Sequence, residues 1–298
     1  MPLLTVFTPT YNRKEKLKRT YESLTRQTSK DFVWLIIDDG SVDNTESEVK
    51  NWQITNKGFE IRYCYKENGG LHTGYNKAIE LADTELMVCI DSDDYMPDNA
   101  VELICNKWKK DGSSKVGGIV GLDFYMDGTV VGNRFPPLKT LNLVDVCVGK
   151  IDVHGDKKQV VRTECFKKVA PMPVFEGEKN FNPYYMILQI AKEHDFLVLS
   201  ENLCFVDYQN DGMTANQWKQ YYNSPNSFAE TRKLYLSLDG GSFLYYFKQS
   251  IHYVSSCIIA KRKGWIKDSP RIFETILAAP FGFVLAKVIQ KRVLTGRA

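Results

Sequence analysis

The 298-residue sequence lacks several features that would point directly to a function class. It has no uninterrupted apolar run of 18 residues, so no transmembrane helix is expected. Its seven cysteines, at 64, 89, 105, 147, 165, 204 and 257, are scattered without metal-type spacing. Several fall in apolar runs and read as small core residues. Neither sign of charge dominates. The 39 Lys and Arg against 36 Asp and Glu leave +3, which implies no strong electrostatic partner such as nucleic acid. No Gly-x-Gly-x-x-Gly follows the first strand-like run, and no Walker-type Gly-Lys-Ser/Thr occurs. Dinucleotide-oxidoreductase and P-loop readings are therefore weak. No internal repeat or low-complexity segment is evident. The odd cysteine count, with an opening Met1–Val6 that has no charged n-region, leads to the expectation of a reducing cytosol.

The most informative stretch is residues 86–94. Five apolar residues, Leu86 to Ile90, run straight into Asp91-Ser92-Asp93-Asp94. The run has the length of a buried strand, so the acids sit where that strand leaves the core. Carboxylates at i, i+2 there can hold a hard divalent cation, and through it a nucleotide diphosphate. Alone, the pattern is equally a capped polar turn. Before it, strand-like runs at 3–8, 32–37 and 60–65 alternate with helical runs at 13–27, 42–54 and 73–81. Another helix follows at 98–110. Ser41 or Asp43 is the expected N-cap of the second helix. Strand–helix alternation predicts a parallel α/β sheet, and ligands bind such sheets outside the C-terminal strand ends. Four polar segments follow strand ends: 8–12, 38–41, 68–70 and 91–93. Together they favour a nucleotide pocket over four unrelated turns.

Those segments also carry a family resemblance. Thr8-Pro9-Thr10-Tyr11-Asn12-Arg13, then Ile37-Asp38-Asp39-Gly40-Ser41-Val42-Asp43-Asn44-Thr45, then Asn68-Gly69-Gly70 with Asn76-Lys77-Ala78, then Asp91-Ser92-Asp93-Asp94 resemble a family 2 glycosyltransferase of the GT-A fold. The likeness is close over about the first 125 residues and weaker to about 215. It implies a Rossmann-like, mostly parallel sheet in residues 1–214, followed by a helical region at 215–298. It also implies inverting, hexosyltransferase-type transfer from a UDP-sugar to an acceptor hydroxyl with Mn²⁺ or Mg²⁺. By position, Thr8, Pro9 and Tyr11 would line the base pocket and Asp39 would accept the uracil imide N–H. Asn68, Gly69, Ser92 and Lys77 would lie near base and diphosphate. His72 would face the diphosphate or be a surface-loop histidine. Asp91 would serve the ribose and metal shell, and Asp93 would ligate the metal.

Inversion needs a carboxylate to take the acceptor's proton. The branch resembled has an acid just before a helix near residue 183, where this chain has Pro183. Glu178 and Glu176 are then the candidates, Glu178 ranked first. The departure keeps open a catalytically impaired sugar-nucleotide-binding protein. A nucleotidyltransferase is disfavoured because a Gly/Arg-rich loop after the first strand is absent. Thr129–Gly132 suggests a hairpin return after the Asp127-Gly128 turn. Strands are expected at 196–199 and 203–208. His154 and Asp156, in the earlier 151–166 segment, would border the acceptor pocket or form a polar loop. Asp211, after the last strand, would touch metal or acceptor or serve an Asp211-Gly212 turn. From 215 the chain becomes helical and aromatic-rich. Residues 272–289 are apolar except for Glu274, Thr275 and Lys287, with Pro280 expected to interrupt and Lys291-Arg292 beyond. Docking of 270–292 on the inner membrane face, with a glycan or lipid-linked acceptor, competes with packing on the domain or in a homo-oligomer.

Overall fold

The computed structural model describes residues 2–56, 58–207 and 217–296. It forms two compact units. The first comprises residues up to 143, then 152–171 and 186–207. The second comprises 144–151, 172–185 and the chain beyond 207. The C-terminal helical region thus recruits two earlier segments, one of which contains Glu176 and Glu178.

In the first unit, β1 (Leu4–Thr10), α1 (Lys14–Thr25), β2 (Phe32–Asp38), α2 (Thr45–Thr55), β3 (Glu60–Tyr65), α3 (Leu71–Leu81), β4 (Leu86–Cys89) and α4 (Ala100–Asp111) alternate as expected. Along the chain then come β5 (Val116–Tyr125), β6 (Thr140–Leu141), α5 (Leu143–Cys147), β7 (Lys157–Arg162), α6 (Thr163–Val169), α7 (Tyr184–Ala191) and β8 (Asp195–Val206), with α5 beyond Leu143 and the first two residues of α7 counted in the second unit. The sheet order is β3-β2-β1-β4-β7-β5-β8-β6. Every residue of β1 and β2 is buried, as continuous apolar runs in a two-faced parallel sheet should be. Tyr21 of α1 stacks on Trp52 of α2 at 4.5 Å, and Trp34 of β2 lies 5.8 Å from Trp52. These large rings fasten both helices to the sheet.

The structure departs from the sequence expectation in several places. The sheet is parallel through β3, β2, β1 and β4, but β7 inserts antiparallel between β4 and β5, and β6 is antiparallel on β8. The expected strands at 196–199 and 203–208 are one strand, β8, whose register on β5 slips near Leu122. The α2 N-cap is Asn44, in the left-handed region at φ 64°, not Ser41 or Asp43. Asp43 works one residue earlier, accepting from the Thr45 N–H at 3.3 Å and hydroxyl at 2.5 Å. The hairpin return does form, with Tyr125 N–H on Thr129 O at 2.8 Å and Val131 N–H on Asp123 O at 2.9 Å.

The second unit is built on α8 (Gln217–Asn223), α9 (Pro225–Ser237), α10 (Phe243–Ile259) and α11 (Ile272–Leu294). Tyr246, Tyr253, Val254, Cys257, Ala229 and Leu236 make its core. Ser242 caps α10 by accepting the Tyr245 N–H at 3.1 Å. The expected break at Pro280 does not occur; α11 runs through it for 23 residues.

Candidate active site

Parallel register sets the chemistry-bearing segments side by side. Thr10 pairs with Asp38, Asp38 with Tyr65, and Phe7 with Cys89. The loops after β1, β2, β3 and β4 therefore leave one edge of the sheet. They are stitched together by hydrogen bonds. Asn12, at φ 51°, donates its N–H to Ser41 Oγ at 2.9 Å and accepts the Val42 N–H on Oδ1 at 2.8 Å. Asn tolerates this left-handed conformation better than most residues. Asp38 braces the same loop, accepting from Ser41 N–H and from the Tyr63 hydroxyl, both at 2.7 Å. The loss of water around Tyr63, with Asp38 beside it, raises that phenol.

Asp39 is buried and organises the loops at this edge. Its Oδ1 accepts the Gly69 N–H at 2.9 Å and the Lys66 ammonium; its Oδ2 accepts the Gly70 N–H at 2.8 Å. Among the described residues this leaves a lone pair on Oδ2 for an imide donor. Gly40 is required by two facts. Its φ is +90°, and a Cβ there would stand 3.0 Å from the Asn68 backbone nitrogen. Asn68 Nδ2 in turn donates to Asp39 O at 2.8 Å.

Not every expected pocket residue points where a ligand would be. Thr8 is fully buried, and its hydroxyl accepts the Trp34 indole N–H at 3.0 Å. Its side chain faces the core, so it can reach a ligand only through its backbone. Pro9 is buried near Gly74 of α3, and Tyr11 is half exposed. His72 is buried in the first turn of α3, which removes the surface-loop alternative. Lys77 pairs with Glu80 at 2.8 Å. His154 and Asp156 are exposed, and Asp211 lies outside the described residues.

The acidic turn after β4 is held by cations that sequence reasoning did not single out. Arg13 Nη1 meets Asp93 Oδ2 at 2.6 Å. Arg19 donates to the Asp93 carbonyl and to Asp207 Oδ2, the latter at 3.0 Å. Ser92 and Asp94 are buried. Solvent reaches Asp91, yet protein crowds it, and loss of water pushes its carboxyl up, with Asp93 adding to the rise. Burial likewise pushes Asp94 up to about 7 and Asp123 up to about 6. Lys158 of β7 opposes all three. Burial alone would lower its ammonium, but Asp123, 3.8 Å away, with Asp94 and Asp91, outweighs that and holds it well above its usual value. Arg13 closes a motif already noted. Lys158 left a fainter signal, a lysine pair opening an otherwise strand-like run.

In the second unit, Glu178 is buried and fully engaged. Its Oε1 accepts from Asn226 N–H and Nδ2, both at 2.8 Å. Its Oε2 accepts from Ser227 N–H at 2.8 Å and the Ser227 hydroxyl at 2.7 Å. This carboxylate caps the first turn of α9. Glu176 is exposed. At Pro183, where the resembled branch has an acid, Asn182 Oδ1 accepts the Tyr184 N–H at 2.9 Å and starts α7.

Residues 5–169, more than half of the chain, match the family described as Glycosyl transferase family 2. The chain belongs to that family. This glycosyltransferase is 23% identical over 272 residues to TuaG of Bacillus subtilis (strain 168), a protein named for teichuronic acid biosynthesis. That alignment covers 84% of this chain and 96% of TuaG. Its fold is the GT-A fold. S. aureus TarS 1-349, solved in complex with UDP-GlcNAc, superposes with a TM-score of 0.62 at 15% identity, over 99% of this chain and 92% of that one. The mannosyltransferase PcManGT of Pyrobaculum calidifontis, solved with GDP-Man and Mn²⁺, gives 0.56 at 18% identity over 98% and 81%.

Among the described residues no group of three His, Cys, Asp or Glu side chains could cage a metal ion. The glycosyltransferase nonetheless offers the Asp91 and Asp93 carboxylates at i, i+2. Mg²⁺-type ions are commonly held by one or two carboxylates plus substrate phosphates. The donor set therefore fits an ion that arrives with a diphosphate better than a resident one.

Proposed function

We propose that this glycosyltransferase moves a hexose, with inversion, from a UDP-sugar to a hydroxyl of a bacterial surface glycan or its lipid-linked precursor. One observation supports this most: Asp39, with its backbone cradle at Gly69 and Gly70, leaves the same sheet edge as the Asp91-Ser92-Asp93 turn. The first suits a base with an imide N–H, the second a diphosphate. The names of TuaG and TarS support the glycan class and the UDP donor.

In this reading Asp39 orients the uracil, and Pro9 and Tyr11 flank it. Asn68, Gly69, His72 and Lys77 lie toward ribose and diphosphate, and Ser92 holds the turn. Asp91 and Asp93 would hold Mn²⁺ or Mg²⁺, which supplies charge neutralisation on the departing diphosphate. Arg13 and Arg19 keep that turn in place, and Lys158 offsets part of the rise that burial imposes on Asp91 and Asp94. For the base we favour Glu176. A base needs an open lone pair, and Glu178 spends both oxygens on α9. Release of UDP from a sugar-nucleotide panel, with Mn²⁺ and with EDTA, tests the reaction. A second reading, a catalytically impaired sugar-nucleotide binder, draws on Pro183 and on the commitment of Glu178. Such a protein would bind UDP without turning over any donor.

A further inference from the structure

Helix α11 is inverted relative to a water-exposed helix. Its buried positions are mostly small: Thr275, Ala278, Gly282 and Ala286, with Ile289 beyond. At Gly282 an added Cβ would meet Val254 of α10 at 2.6 Å, so the two helices approach closely. The large side chains face outward. Phe273, Ile276, Leu277, Phe281, Val284 and Val288 form a stripe at i, i+3, i+4 spacing, with Phe273 67%, Phe281 57% and Val284 61% exposed. Glu274, half-buried, is the one charged residue from Ile272 to Ala286. Lys287 and Lys291, both exposed, continue the stripe at its C-terminal end. The Lys287 ammonium lies 5.5 Å from the Phe283 ring centroid, its stem laid along apolar surface. A contiguous apolar face of this kind marks an interaction site.

We propose that α11 lies in the plane of an anionic phospholipid bilayer, its stripe at the acyl boundary and Lys287 and Lys291 among the headgroups. The helix is long and apolar enough to cross a bilayer by length and composition. Its neighbours exclude that. The small-residue side is packed on α10, which carries exposed Lys248, and Gln249 bonded to Arg232 of α9 at 2.6 Å. A span would draw these groups into hydrocarbon. A second copy suits the face less well. It would set two lysines against a stripe that offers only the half-buried Glu274, whereas anionic headgroups offer a counter-charge everywhere.

The test is co-sedimentation of the full chain with phosphatidylcholine vesicles, with and without phosphatidylglycerol. The protein should pellet with the anionic vesicles. Lys287→Glu with Lys291→Glu should weaken that by at least about tenfold, and Phe273→Ser with Phe281→Ser and Val284→Ser should abolish it. Both variants alter mostly exposed side chains, with Phe281 also packing edge-on against Phe247. The lysine variant should therefore keep its unfolding midpoint, the serine variant should still unfold cooperatively, and both should keep UDP affinity. Wild-type protein left in the supernatant, or variants that pellet like wild type, would overturn the proposal. So would a wild-type dimer in light scattering that the serine variant dissociates, which would assign the stripe to a second copy.

Discussion

Asp93, Lys158 and Asp123 carry the testable electrostatics at the residue scale. Asp93→Asn keeps the volume and removes the charge that Arg13 and a cation would share. It should cut donor turnover by about 10²–10³-fold with unchanged circular dichroism; full activity would remove Asp93 from the site. Lys158→Met leaves the buried Asp123 and Asp94 without their cation. Breaking such a pair costs about 3–5 kcal/mol, read as a lowered urea midpoint. The carboxyls can relieve this by taking up protons, so the deficit should shrink between about pH 8 and about pH 5. Asp123 has its own signature. Its folded-state value is raised from 3.8 to about 6 by burial. A carboxyl raised in this way holds its proton more tightly when folded. Its contribution is therefore full below about 4 and lost as pH rises through about 6. Asp123→Asn should flatten the stability–pH curve in that window, where the wild type loses about 2–3 kcal/mol.

The element that separates two roles is α9. Glu178 gives its first turn four hydrogen bonds. Glu178→Ala should cost about 1–3 kcal/mol, with lost activity following the loss of fold. Glu176→Gln should leave the unfolding midpoint unchanged while kcat falls by about 10²-fold or more. The reverse pattern would return the base to Glu178. The sequence could rank these glutamates only by their distance from the family's motif spacing, because the cap depends on Asn226 and Ser227, far downstream. The same blindness to distant partners explains other gaps. The antiparallel insertion of β7 cannot be seen in Lys157–Arg162, whose composition suits either direction. Asn44 displaced Ser41 and Asp43 as the cap because loop closure with Asn12 decides where α2 starts. Pro280 stays within α11 because packing on α10 offsets its local cost. By contrast β1 to β4 and the edge they share were legible, since continuous apolar runs such as β1, β2 and β4, each followed by a polar segment, leave few alternatives. The pocket motifs were legible for the same reason, though not the direction of Thr8, which Trp34 decides.

For the whole molecule, the central claim is sugar transfer from a nucleotide donor at the edge defined by Asp39 and Asp93. The most direct measurement is UDP release from a panel of UDP-sugars with Mn²⁺, repeated with EDTA and with Asp93→Asn. The account predicts release from one donor, lost in both controls, while Asp39→Ala raises KM for that donor by about tenfold or more through its lost imide partner and loosened Gly69–Gly70 loop. UDP binding without release from any donor, acceptor glycans supplied, would contradict it and leave a binding protein.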